Sequence, residues 1–467
     1  MMSMRAWRRA AFAILLVVVA GAILFTRLTG VHEIHHAGQA AGPILADPRP
    51  GPYDWPWWRG TDQRNVVASA AVPIQWSESS HVAWHAPLPG RGHSSPCVWG
   101  NRVFLTTADA ERETISLLCV DRGNGRLVWD AVLHHGKLME KHSKNSHASA
   151  TPACDGARVY IPATLGGSLW VTAVDFDGHI VWQREAGPYA ASNGYGSSPV
   201  IHKSLVIVAG DNDGKRIDRI VGTSHLAAFD RQTGEIVWRD KRPQGDSFGT
   251  PIVARICDKD QLVMAGKGAV IAYDPATGAE IWQCRWTADR TANTVAFDGR
   301  RVVASSREPS PVCICVRADG SGDVTATHLA WSEPKCACDV PSPVLADGLV
   351  YSLVDSGVLN CLDAGTGTVK WKRRLAGRFF SSPVIAGPHL YCSNENGMTF
   401  VVGLGKSGEI EAQNSIGEGL YASAVFMGDQ LLLRTASGLF CVAGPERTAK
   451  PSEGPLAAEP QATRRRL

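Results

Sequence analysis

An eleven-residue pattern that ends in tryptophan constrains this chain more than any other feature. AFDRQTGEIVW, from Ala228 to Trp238, reads as two short strands joined by a tight turn. Asp230 and Thr233 can hydrogen-bond the turn backbone, and Gly234 supplies its left-handed residue. The pattern recurs as AYDPATGAEIW to Trp282, CLDAGTGTVKW to Trp371 and CVDRGNGRLVW to Trp129, with a looser copy, AVDFDGHIVW, to Trp182. A repeat of this kind decides architecture before any local reading does.

Two independent signals count the repeats. Strand openers of small residues, mostly followed by Pro, start at Ser94, Ser149, Ser197, Gly249, Ala292, Pro341, Ser381 and Ala422. Each leads into a β-rich run such as RVFLTT or LVIVAG. The second signal is the closing tryptophan, at Trp84, Trp129, Trp182, Trp238, Trp282, Trp331 and Trp371. An eighth position, near Ala412, lacks it. The spacings of 40 to 56 residues suit four strands and their turns. Trp84 precedes the first opener, while the last opener has no closing strand after it. Ring closure reconciles the two series, with the strand at Trp84 completing the last blade. The expected fold is all-β: an eight-bladed β-propeller with four antiparallel strands per blade. Closure leaves no free sheet edge at the ends of the array.

The 467 residues suggest about three domains by length, but a closed ring of repeats is one domain whatever its size. We divide the chain into an N-terminal signal-anchor at 1–29, a linker at 30–54, the propeller at 55–443 and a disordered tail at 444–467. Arg5, Arg8 and Arg9 precede an apolar run at 10–25, which reads as an uncleaved membrane anchor. The positive end stays inside, so the bulk of the chain is expected outside the cytoplasm, anchored at the inner membrane or secreted. A net charge of +3 and the lack of a basic stripe give no reason to expect nucleic acid.

Several residue clusters have the composition of a site. His32, Glu33, His35 and His36 fall in the flexible linker and lack helical zinc spacing. DNDGK, at 211–215, opens like a calcium loop, but Gly222 stands where an acidic twelfth residue belongs, so it reads as a polar turn. The stretch 134–149 holds His134, His135, His142 and His147 and reads as an exposed rim loop rather than a metal site. Of the twelve cysteines, Cys119, Cys315, Cys361 and Cys441 fall at the motif's small buried position. Cys313 and Cys315, with Cys336 and Cys338, flank an irregular fifth blade, where i,i+2 spacing puts each pair on one strand face. A disulfide between those pairs is compatible with an exported chain.

The full pattern of Ala228, Asp230, Thr233, Gly234 and Trp238 resembles the tryptophan-docking motif of pyrroloquinoline-quinone-type propellers. Ala272, Asp274, Thr277, Gly278 and Trp282 match it as well, and Cys361, Asp363, Thr366, Gly367 and Trp371 match with Cys for Ala. The segments WPWWRGTDQRNVVA, VAWHAPLPGRGHSSP and KNSHASATPACDGARVY are similar to those of membrane-anchored bacterial propeller-repeat proteins. The fold also resembles that of the lipoprotein propeller that scaffolds outer-membrane β-barrel insertion, but a lipobox Cys is missing here.

The resemblance allows three functions. The first is a non-catalytic extracytoplasmic scaffold for protein partners or a ligand at the cell envelope, with no cofactor. The second is a quinone-dependent alcohol or sugar dehydrogenase, which would hold pyrroloquinoline quinone and calcium. The third is a carbohydrate-binding module. Adjacent cysteines and a C-x-x-C-H haem motif are both missing, which counts against the second. No G-x-S-x-G, H-E-x-x-H or P-loop is present. We therefore expect no catalytic residue. In a propeller, residues just before the inner-strand openers face the channel mouth. On that topology the expected ligand surface is His93, Asn145, His147, Asn193, Tyr195 and Phe248.

Overall fold

The computed structural model describes residues 44–68, 71–213 and 223–444. The apolar run at 10–25, the histidines at 32–36 and the tail from 445 lie outside the described residues. Among those described, no helix is long and apolar enough to cross a membrane.

Eight sheets form the eight blades of a propeller. Blade 1 illustrates the pattern: Cys97–Trp99 innermost, then Arg102–Asp109, Thr114–Asp121 and Leu127–His135, each antiparallel to its neighbour. The two middle strands of each blade are almost wholly buried, because neighbouring blades cover both their faces. The outermost strand alternates, as a half-solvated strand does.

Closure occurs where the sequence locates it. Val82–Pro87 pairs with Gly438–Ala443 as the outer strand of blade 8, with Trp84 opposite Cys441. The last blade is thus held by strands from both ends of the ring.

The repeat's chemistry is visible in the register. Each closing tryptophan stands opposite the motif's small residue: Trp238 opposite Ala228, Trp282 opposite Ala272, Trp129 opposite Cys119 and Trp371 opposite Cys361. A register shift follows each pairing, and such a bulge re-aims the side chain. The indole then lies on the turn glycine of the next blade. A Cβ built on Gly234 would meet Trp182 at 2.6 Å, and one on Gly278 would meet Trp238 at 2.7 Å. Both glycines have positive φ, so turn geometry and close approach each demand glycine there. The indole N–H donates to a carbonyl of the same turn: Trp182 to Arg231 at 3.1 Å, Trp238 to Pro275 at 3.2 Å and Trp331 to Ala364 at 2.9 Å. The motif joins blade to blade as much as it builds the blade.

Two departures from the pattern have specific solutions. Trp282 has no turn of this type in blade 5 to dock on. Its N–H donates at 2.8 Å to Gln261 of its own blade. The fifth-blade insertion lays a short strand, Gly322–Asp323, parallel to the outer strand of blade 4, with Gly322 opposite Trp282. In blade 7, Ala412 stands opposite Val401 without a tryptophan. Trp76, from the segment before the first blade, shares a buried cluster with Ala412 and stacks on Tyr391, ring centroids 6.4 Å apart. Its backbone N–H donates to Asn414 at 2.9 Å.

All twelve cysteines are free, and eleven of them are buried. Cys313 and Cys315 lie on one strand, Val312–Arg317. Cys336 and Cys338 do not share a strand face as expected: Cys336 ends a short 3-10 turn, Pro334–Cys336, and Cys338 follows it. The insertion forms this turn because Pro334 removes an amide donor from any ladder. Burial pushes the Cys313 thiol well above its ordinary value, which suits a packing role. Alkylation of the denatured, unreduced protein is expected to modify all twelve cysteines. A mass short by two adducts would establish a disulfide.

Candidate functional site

The eight openers meet around the axis and close a ring of hydrogen bonds. In each blade a Ser or Thr ends the opener. The backbone N–H of Ser95 donates to the Thr151 hydroxyl at 2.9 Å, and that of Thr151 to Ser198 at 2.9 Å. The ring continues through Thr250, Thr294, Ser342, Ser382 and Ser423. It returns from the Ser423 N–H to the Ser95 hydroxyl at 3.1 Å. The residue type follows from the geometry: the innermost strands converge, so only a small side chain fits, and it must accept its neighbour's amide. Proline after the hydroxyl residue in six of the eight openers has no N–H that would need a partner on the axis.

Behind the ring, the segment 55–65 closes the channel. Carbonyls just downstream of the ring receive its side chains: Arg59 donates to Pro343 at 2.9 Å, Asn65 to Pro383 at 3.2 Å and Gln63 to Val253 at 3.2 Å. Trp55 pairs with Val98 by backbone bonds in both directions. Trp58 reaches the ring itself, its indole N–H 3.0 Å from the Thr294 hydroxyl. Part of the expected linker belongs to this face as well. The Leu45 N–H donates to Ser204 at 2.6 Å, and Asp47 accepts from the Lys203 N–H at 2.6 Å. Leu45, Asp47 and Asp54, all within the expected linker, thus bond to propeller residues. The linker's apolar-poor composition gives no sign of this, because backbone and carboxylate bonds hold these residues.

In front of the ring is a cavity of about 770 Å³ floored by Trp58 and lined by all eight ring residues. A second tier is formed by the residues two positions earlier in each opener. It comprises His93, Ser149, Gly196, Phe248, Ala292, Val340, Phe380 and Tyr421, and every one lines the cavity. Alternation along an extended chain places i and i−2 on the same face.

Four of the expected site residues line this cavity: His93, Asn145, Asn193 and Phe248. Two do not. Tyr195 is three positions before its ring residue, on the opposite face, where it is 8 % exposed and donates to the Ala209 carbonyl at 3.0 Å. His147 is four positions before Thr151 and stays outside the lining. Asn145 binds loop to loop, donating to the Asn193 carbonyl at 2.7 Å and accepting from Ser149 at 2.6 Å. The four loop histidines are divided. His134 and His135 end the outer strand of blade 1, His142 lines the cavity, and among the described residues no three metal-ligating groups converge. In DNDGK, Asp211 is buried in an ion pair with Arg242, and Asn212 accepts from the Ala190 N–H at 2.6 Å. Both are used structurally.

Sequence reasoning missed Phe380, Tyr421, Lys144 and Glu395. The two-before rule, applied to all eight openers, finds Phe380 and Tyr421. Only tertiary contact brings in the other two. Lys144, on the loop after blade 1, is 2.7 Å from Glu395 of blade 7 and 5.7 Å from the centre of the Phe380 ring. His93 stacks flat on Tyr421, centroids 4.6 Å apart. Burial, with Arg434 and Arg91 nearby, lowers the His93 imidazole to about 3, so it is neutral at physiological pH.

Two carboxylates, Asp339 and Glu395, line the cavity. Glu395 is engaged by Lys144. Asp339 stands beside Asp355, whose carboxylate accepts the backbone N–H groups of Asp339 and Val340 at 2.8 and 3.0 Å. The two carboxylates lie on different loops, and among the described residues no three His, Cys, Asp or Glu groups gather about one point.

Fold and site together define a tryptophan-docked eight-bladed propeller with an axial cavity closed on one side. A family model described as outer membrane protein assembly factor BamB matches residues 60–210, 112–334 and 327–411. The chain belongs to that family. It is 25% identical over 318 residues to the outer membrane protein assembly factor BamB of Bordetella pertussis, covering 65% of this chain and 74% of that protein. It is also 26% identical over 149 residues to the methanol dehydrogenase [cytochrome c] subunit 1 of Methylobacterium organophilum, covering 30% of this chain and 23% of that protein. The match therefore spans about a quarter of the dehydrogenase subunit's length. Among solved structures, a europium-containing methanol dehydrogenase superposes with a TM-score of 0.60 at 13% identity, covering 83% of this chain and 91% of that one.

Proposed function

We propose that this protein is a non-catalytic propeller that docks a protein partner at the cell envelope through the rim loops surrounding the axial cavity. The observation that supports this most directly is the state of the cavity's ionisable groups. Lys144 and Glu395 neutralise each other, Asp339 is beside Asp355, and His93 is held neutral. Among the described residues no three His, Cys, Asp or Glu groups gather to hold a cation beside a carboxylate base. The rim, by contrast, is where the blades differ most: the loop at 136–149 reaches across the cavity mouth to blade 7. The BamB relative is an outer membrane protein assembly factor, which agrees with partner docking.

The membrane end rests on the apolar run at 10–25 and its arginines. Crosslinking through a photoreactive residue at position 143 on the rim is expected to capture one specific envelope protein from membranes. The absence of any reproducible adduct would overturn the reading. The quinoprotein alternative, favoured by the dehydrogenase match, has its own test. Incubation with pyrroloquinoline quinone and calcium, then dialysis, is expected to leave no cofactor absorbance and no alcohol-dependent dye reduction. Retained cofactor with dye reduction would establish the alternative.

A further inference from the structure

We propose that the axial cavity binds a small multivalent oxyanion, a ligand carrying several carboxylate or phosphate oxygens, seated on the hydroxyl ring. The ring itself points there. A hydroxyl has one hydrogen to donate and two lone pairs to accept with. Each ring oxygen already accepts its neighbour's amide, and Thr294 accepts the Trp58 indole as well. Among the described residues, none of the eight hydroxyls donates to a protein acceptor. All eight line the cavity, and each is at most 5 % exposed. The ring therefore presents a crown of donors whose acceptors must come from the cavity.

Charge selects the kind of acceptor. Two arginines, each 1 % exposed, bond to residues next to the ring. Arg59 donates to the carbonyl of Pro343, next to Ser342, and Arg434 to the carbonyl and hydroxyl of Ser94, next to Ser95. The partners of both are neutral oxygens, and the Nε of each, with one further nitrogen of Arg59, has none. Neither lines the cavity, but buried cations whose hydrogen-bond partners are neutral, with Asp62 the one carboxylate acting on Arg59, raise the potential in the space beside them. On the rim, Arg378 is an exposed cation at the cavity mouth. Asp339 is the one opposing carboxylate not held in an ion pair. Burial, then Asp355, shifts it towards its neutral form. A neutral polyol would satisfy the hydroxyls but gain nothing from this positive potential, so an anion is the better occupant.

The test is calorimetric titration of the full chain in detergent, freed of divalent cations on a chelating resin beforehand so that no cation-dependent quinone reports. Citrate and inorganic phosphate are the two probes, with trehalose as the neutral polyol. Saturable binding of at least one oxyanion is expected, weakening as salt rises, with no binding of trehalose. The preferred probe then identifies the carboxylate or phosphate class. Removing two ring donors, Ser198→Ala with Thr250→Val, is expected to weaken binding about tenfold. These hydroxyls also hold the ring, so Arg378→Gln provides a second variant on the exposed rim, expected to weaken binding roughly threefold. Equal binding of trehalose, no saturable oxyanion binding by folded protein, or unchanged affinity in both variants would overturn the proposal. The cavity ligand does not depend on the docked partner: failed crosslinking with intact oxyanion binding would sink the scaffold reading alone.

Discussion

Trp238→Ala is expected to destabilise the propeller by about 3–5 kcal/mol. The indole is 3 % exposed and packs on Gly278 of the next blade, with its N–H on the Pro275 carbonyl. Truncation loses the buried area of a large aromatic and leaves that carbonyl without its donor. For a domain of this size the loss corresponds to a melting shift of roughly 4–6 °C, and a shift below two degrees would contradict the docking role. The partner position gives a sharper check. Gly278→Ala places a Cβ 2.7 Å from the indole at a positive φ, so it destabilises by itself. In the Trp238→Ala background the steric part vanishes and only the backbone part remains. The double variant should therefore be more stable than the sum of the singles implies. Strict additivity would mean that the two residues do not touch.

Asp211→Ala is expected to cost about as much, roughly 3–5 kcal/mol, by stranding a buried guanidinium. Asp211 and Arg242 are each 1 % exposed in their side chains and joined at 2.8 Å, with Arg242 also donating to the Tyr273 hydroxyl of blade 4 at 3.0 Å. Removing both charges, as Asp211→Ala with Arg242→Met, should restore much of the loss, because the penalty lies in the unpaired charge. Denaturant melts of the two singles and the double measure this. A double variant no better than Asp211→Ala would show that the pair's geometry, and not its charge, holds blades 3 and 4 together.

The sequence treats these two sites very differently. The tryptophan recurs in seven places, so its partner could be inferred from the repeat alone. Asp211 sits in DNDGK, which reads as a polar turn, and nothing in the local pattern announces that Arg242, 31 residues on, neutralises it. The cavity lies between these extremes. His93 and Phe248 were legible because they stand two positions before a ring residue, and alternation carries them to the axis. Tyr195 stands one residue from that position, which in an extended chain is the opposite face. His147 is near an opener but too far upstream to line the cavity. The Lys144–Glu395 pair was beyond reach, because it joins loops 251 residues apart.

What the sequence by itself determined is therefore the ring. Blade number, the closing strand at Trp84, and the small residue opposite each tryptophan all follow from short-range periodicity, because each repeat contacts only its neighbours. What only the tertiary structure decided is how the ring's middle and its defects are completed. The hydroxyl crown, the plug of Trp58 and Arg59, the substitution of Trp76 for the missing blade-7 tryptophan and the strand laid over Trp282 all join residues distant in sequence. Their partners are chosen by convergence on one axis or by a gap left in one interface. Both are properties of the closed circle, and no window of sequence shorter than the circle contains them.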